Sequence, residues 1–396
     1  MKKSLQLQID GASWTAVPPP YRKSCPFLVT QNEATVDFLG ALLWVGITSV
    51  SIRLPSWWLA SQWALVRYVA AADHRTRRLR LPEAADDLDT HHKKVLSDDW
   101  GVGLALQWLA TRLRYKCVAH GAFAMQDLRD RNIAQFVRRK KRGPFKCPDF
   151  FAVDPQNRVH LIECKGNQRG LTDIDRQFQR GREQKQNVWF RNEALVGQRL
   201  LTGIAIAGAN SNWSSTLRLA DPTPDRGIGY YEIDTASAIP LIESFKRVVV
   251  VQGLISAGAL RIAHLLFPKE TDTDKVRFVR EPPITQFVAQ NNRWTGRVYE
   301  LSFPLPINLE DRSSIAGCRL RFGAGEGFLD ELNTKAGLGR GEDILQQKDL
   351  DVRLHTDPDR NKERRSRKSF EGERRGNYAA IQHGDALIAD MELLEA

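Results

Sequence analysis

The sequence predicts an α/β (α+β) protein in which a mixed sheet is flanked by helices. Three observations carry that expectation. The chain has 396 residues, 42% of them apolar and 27% charged, the composition of a globular protein with a sizeable core. Its length suits two or three domains. Between residues 97 and 222, a helical pattern, a strand hairpin, a second helical pattern and further strands follow one another.

Residues 1–92 form an aromatic-rich N-terminal accessory region. MKKSLQLQIDG carries two lysines with no apolar core behind them, so it does not read as a secretory signal. The prolines at 18–20 break any early element. FLGALLWVGITSVSI (38–52) is apolar but shorter than the roughly 20 residues that span a bilayer, and Arg53 and Pro55 stop it. It reads as a buried helix or strand pair. Trp57, Trp58, Trp63 and Arg67 give no regular basic–aromatic stripe, so an aromatic core is expected there in place of a base-stacking platform. RTRRLRLPEAADDLDTHHKK (75–94) is charged and reads as a link. Its His91 and His92 lack a third metal ligand nearby and read as solvated.

Residues 93–225 carry the chemistry. SDDWGVGLALQWLATRLRYK (97–116) opens with cap residues and continues with apolar positions 102, 104, 106, 109 and 113, which predicts a helix capped near Asp98 and Asp99. The basic run Arg138, Arg139, Lys140, Lys141 and Arg142 follows. Next comes CPDFFAVDPQNRVHLIECKG (147–166). Phe150–Val153 is a short apolar run, Asp154-Pro155-Gln156-Asn157 is turn chemistry, and Arg158–Cys164 is a second strand. Alternation places Val159, Leu161, Glu163 and Lys165 on one face and His160, Ile162 and Cys164 on the other. The hairpin then brings Asp149 beside Glu163 and Lys165. In 167–190, Thr172 with Asp175 three residues on resembles a capping box, and Gln177, Arg180 and Gln184 share a helix face. LTGIAIAG (201–208) and STLRLADP (215–222) read as strands.

Residues 226–396 form a C-terminal accessory domain. SAIPLIESFKRVVVVQGLISAGALRIAHLLF (237–267) is apolar and helical, at least in its second half. VRFVREPP, GRVYELSFPLP and CRLRFGAG read as strands. GAGEG (323–327) shows no strand before it and no lysine after it, so it carries little weight as a phosphate loop. The charged run at 357–376 reads as a solvated segment or nucleic-acid arm.

Charge and cysteine usage narrow the setting. A net charge of +11 points to a polyanionic partner, nucleic acid before anionic lipid. Five scattered cysteines with no CxxC pair argue against a disulfide framework or a zinc site, and fit a reducing, cytoplasmic compartment. Two carboxylates beside an ammonium can hold Mg²⁺ (or Mn²⁺) through hard oxygens, with the backbone carbonyl of Cys164 as a further ligand. Lys165 is then placed to orient or deprotonate a water and to stabilise developing charge, which implies a phosphodiester substrate.

Pro148-Asp149, thirteen residues, then Glu163-Cys164-Lys165 resembles the PD-(D/E)xK nuclease superfamily over roughly residues 95–225. The resemblance implies a restriction-endonuclease-like fold, with Asp149 and Glu163 on the metal and Lys165 assisting water. It also implies an acidic residue on the first helix, Asp99 before Asp98, and a phosphate-facing glutamine on the helix after the motif, Gln177 or Gln184. The basic run 138–142 would grip the backbone. The expected protein is a Mg-dependent endonuclease, DNA favoured, in a bacterial restriction or anti-phage system with partner proteins, off the membrane; oligomerisation is left open. The alternatives are a non-catalytic nucleic-acid-binding or scaffold subunit and an RNA-directed nuclease.

Overall fold

The computed structural model describes residues 1–17, 21–27, 32–52, 68–137, 147–221, 230–235, 238–267, 284–310, 313–336, 350–355 and 378–395. Trp57, Trp58, Trp63, Arg67, the basic run 138–142, VRFVREPP and the charged run 357–376 lie outside the described residues.

Leu5, Leu7 and Ile9 alternate with polar residues, and this period of two becomes β1 (Lys2–Ile9), with Leu5 and Leu7 buried. A seven-stranded sheet forms around it. Its order is β2 (Glu33–Asp37), β1, β9 (Thr216–Ala220), β8 (Val196–Ala205), β6 (Val159–Asn167), β5 (Phe150–Val153) and β3 (Cys117–His120). β3, β5 and β6 are antiparallel neighbours, and β6 runs parallel to β8. A parallel pair needs a crossover, supplied here by α5 (Leu171–Gln186). β1 joins β9 in parallel and β2 antiparallel. The sheet therefore runs through the boundary drawn at residue 92: strands from the first 37 residues extend the sheet that carries the motif.

The expected antiparallel β5–β6 hairpin forms, with Phe150 opposite Ile162 and Val153 opposite Val159. Asp154 closes its turn by accepting from the backbone N–H groups of Gln156 and Arg158, and Asn157 takes a positive φ of 60°.

Two helices follow the N-terminal strands. α1 (Gly11–Ala16) is short, and α2 (Phe38–Thr48) is buried all round. α3 (Thr90–Leu113) starts earlier than its apolar periodicity suggests. Asp89 is the cap, accepting from the N–H groups of His91 and His92. Asp98 and Asp99 thus sit in the third turn and are not cap residues. The polar opening THHKK hides two helical turns that Leu96 and Trp100 anchor by burial. α4 (Gly121–Asp130) follows β3. β4 (Ala134–Phe136), β10 (Tyr231–Ile233) and β7 (Val188–Phe190) make a small second sheet.

The apolar 237–267 run is helical throughout its described part, as α6 (Ala238–Ala257) and α7 (Leu260–Leu266). Gly258, at φ +93°, breaks it. A six-stranded antiparallel sheet follows. Its order is β11 (Thr285–Ala289), β12 (Asn292–Asn308), β13 (Ser314–Gly325), β16 (Leu387–Glu395), β15 (Tyr378–His383) and β14 (Val352–His355). The GAGEG glycines do follow a strand: Gly323 and Gly325 end β13, and α8 (Glu326–Ala336) begins at once. The two large sheets share one apolar core, in which Phe38, Leu42 and Trp44 of α2 join Leu320, Ile381 and Met391. On the opposite side, Phe245 of α6 stacks on Phe151 of β5 at 5.1 Å. Among the described residues no helix is long and apolar enough to cross a membrane.

Candidate active site

The motif residues meet where β6 emerges from under two helices. On one face, α3 crosses so closely that only glycine fits: a Cβ at Gly166 would lie 1.7 Å from the Ser97 carbonyl oxygen. That approach sets Asp98 and Asp99 beside the end of β6. On the other face, Ile174, Phe178 and Gly181 form the buried side of α5. A Cβ at Gly181 would stand 3.3 Å from Glu163 Cγ and 3.4 Å from Lys165 Cε, so α5 covers these two side chains.

Asp149 is held against both halves of the Glu163–Cys164 segment. Its Oδ2 accepts from the Cys164 N–H at 2.8 Å, and its own N–H donates to Glu163 Oε2 at 3.3 Å. Lys165 Nζ pairs with Glu163 Oε1. The Thr202 hydroxyl donates to the Glu163 carbonyl at 3.1 Å and fixes the strand from the β8 side. Glu163 is fully buried.

The electrostatics follow from that burial. Desolvation raises the Asp149 carboxyl above its ordinary range, Lys165 opposes the rise, and the negative charge of Asp98 adds to it. Asp98 is itself raised by burial against the pull of Lys94 and Lys165. Burial works to lower Lys165, but the charges of Asp149 and Glu163 outweigh it, so its ammonium is held above the usual lysine range. Asp98, Asp149 and Glu163 thus crowd Lys165, and Lys94 acts on Asp98 as well.

A cleft of about 390 Å³ opens onto this group. Asp98, Asp99, His120, Asp149, Cys164 and Lys165 line it, and Val45 and Thr48 of α2 add a wall from the N-terminal region.

No family model, curated protein or solved structure matches this chain.

The other residues singled out in the sequence separate into distinct placements. Gln177 donates to the Gly166 carbonyl at 3.2 Å and faces Asn167 Nδ2 at 3.5 Å, so its amide ties α5 to the end of β6. Arg180 is exposed. The Gln184 side chain lies outside the description, as does the basic run 138–142. Asp99 accepts from the Tyr68 hydroxyl, whereas Asp98 is the acid whose charge is felt at both Asp149 and Lys165. His120 went unremarked in the sequence. It ends a four-residue strand, and CVAHG carries no pattern that marks it.

The donor set is oxygen throughout, which suits a hard divalent cation and not a soft one. An acid excess taken out of water calls for positive charge. Among the described residues no set of three or more His, Cys, Asp or Glu side chains forms a ready-made cage. A cation here would rest on Asp149, Glu163 and the Cys164 carbonyl, with remaining positions left for water or substrate oxygens.

Proposed function

We propose that the chain is a metal-dependent nuclease that hydrolyses phosphodiester bonds, with DNA as the favoured substrate. One observation carries this reading: Asp149 is bonded to the Glu163–Cys164 segment while Lys165 stands alongside, at the mouth of a cleft. The element order supports it. A helix, three antiparallel strands, a crossover helix and a parallel strand, with α3 and α5 on opposite faces, is the arrangement expected of a restriction-endonuclease-like core. The net charge of +11 supports a phosphate-rich partner.

Asp149, Glu163 and the Cys164 carbonyl would hold Mg²⁺ or Mn²⁺, which would supply an acidified water and charge neutralisation at the phosphate. Lys165, paired with Glu163, would orient the attacking water or take its proton, and would offset negative charge on the phosphate. Asp98 completes the acidic wall.

A substrate panel tests the proposal: supercoiled plasmid, linear duplex, single-stranded DNA and RNA, each with Mg²⁺, Mn²⁺ or EDTA. Cleavage is expected with metal only. Asp149→Ala and Lys165→Ala should each lower it by about 10²–10³-fold or more. Equal cleavage by wild type and both variants rejects the assignment. Binding that persists in EDTA without turnover on any substrate marks a non-catalytic subunit instead.

A further inference from the structure

His120 lies in the same cleft as the motif, and nothing in the motif accounts for it. It ends β3 directly opposite Phe150, the residue after Asp149. The next residue locks the placement: the Gly121 N–H donates to the Asp149 carbonyl at 2.7 Å. A Cβ at Gly121 would fall 1.8 Å from the Pro148 oxygen, so the two chains approach there as closely as backbone allows. β3 therefore carries His120 to the motif's first carboxylate as firmly as the hairpin carries Glu163.

The ring sits between Phe123, at 4.8 Å, and Phe150, at 5.8 Å, and forms part of the cleft wall. Its Nδ1 is buried with no hydrogen-bond partner among the described residues. An unpartnered buried nitrogen is a standing cost that an apolar side chain of similar size would remove. With no acceptor beside Nδ1 among the described residues, the neutral ring is left to carry its proton on Nε2. Burial also lowers the imidazole pKa to about 4, so at neutral pH the ring adds no charge. That matters beside Asp149. A second lysine here would pair with the carboxylates, as Lys165 already pairs with Glu163, and compete with a cation for them. An uncharged donor touches phosphate without doing so.

Resting on the nuclease reading above, we propose that His120 is a substrate-binding residue, its Nε2–H donating to a non-bridging oxygen of the scissile phosphate. Lys165 and His120 then hold the phosphate from two sides, one by charge and one by direction. A directed contact of this kind fixes the phosphate relative to Asp149 and Glu163, and so should act on turnover as well as on binding.

The test compares His120→Leu and His120→Gln with wild type in the full chain. Three quantities are read: thermal midpoint, kcat and KM on the best substrate of the panel, and equilibrium binding of a fluorescein-labelled oligonucleotide in EDTA. For His120→Leu, the midpoint should hold or rise, because a buried unpaired nitrogen is gone. Its kcat/KM should fall about 10- to 100-fold and its EDTA binding should weaken several-fold. His120→Gln, whose amide reaches the position of Nε2, should recover most of both. Wild-type kcat/KM and binding in His120→Leu would overturn the proposal. So would a parallel loss of midpoint, activity and binding in both variants, which marks a packing role. Should wild type cleave nothing, the nuclease reading fails, and the EDTA binding difference still decides the phosphate contact.

Discussion

The seven-stranded and six-stranded sheets each bury a carboxylate beside a cation, with opposite outcomes. In the C-terminal sheet, Arg321 faces Asp390 directly across the β13–β16 ladder, and its Nε meets the two carboxylate oxygens at 2.7 and 3.0 Å. Two residues along, Arg319 lies between Glu300 and Glu392. Burial lifts the Asp390 pKa to about 6 against the pull of Arg321, and Arg321 reaches both of its carboxylate oxygens. In the motif sheet, Asp98, Asp149 and Glu163 gather around Lys165 beside a cleft, with Lys94 also acting on Asp98. A buried pair between facing strands holds them in register. A charged group that lines a cavity keeps a side open to something that arrives.

That contrast makes sharp predictions. The largest effect should come from Arg321→Ala, which strands Asp390 in the core and should cost about 3–5 kcal/mol by urea denaturation. The double change Arg321→Met with Asp390→Leu should recover most of that loss, since an apolar pair can replace a matched ion pair. A full loss in the double variant would show that the pair does more than balance charge.

Next in size is the response to acid. Burial depresses His74 and His383 to about 4 each. Their folded pKa lies below the unfolded value, so the stability they contribute is present above about pH 6.5 and is lost as pH falls towards 4. The effect is on the order of 3 kcal/mol per histidine. Asp390 works the other way, because its folded pKa is raised: its contribution is present below about pH 4 and is lost as pH rises towards 6. His120 joins them at about 4, so three histidines depressed to that value oppose the raised Asp98, Asp149 and Asp390; the thermal midpoint should fall between pH 7 and pH 5, and His383→Leu should flatten the slope. A midpoint that rises on acidification would contradict this balance.

The smallest effect has the most telling sign. Asp149→Asn removes one buried carboxylate from the cleft and keeps an oxygen for the Cys164 N–H. It should raise stability by about 0.5–2 kcal/mol while abolishing cleavage. A destabilised Asp149→Asn would mark Asp149 as a structural residue.

Local chemistry made half of this legible from sequence. Asp149, Glu163 and Lys165 lie within one hairpin, where a period of two and a proline-bearing turn settle both register and face. Asp390 and Arg321 stand 69 residues apart, and only the ladder reveals that they are neighbours. β1 advertises itself by alternation, but its partner β9 lies at the far end of the motif region, and pairing at that range leaves no mark in either segment. The start of α3 was obscured because Asp89 and the Ser97–Asp99 cluster both have cap chemistry, and the polar turns between them mask the period. Both Asp98 and Asp99 line the cleft; the charge of Asp98 is felt at Asp149, while Asp99 accepts from the Tyr68 hydroxyl. His120 gave no signal because its importance lies entirely in what β3 pairs with.

The insertion of β1 between β2 and β9, together with the wall that α2 lends the cleft, has a practical consequence. The motif is not a portable cassette. A fragment beginning at residue 93 would expose β9 as a raw edge, ready to pair with another copy, and would leave one side of the cleft open to bulk solvent. Such a fragment should self-associate, so transplanting this region to another protein must carry the leading strands along with it.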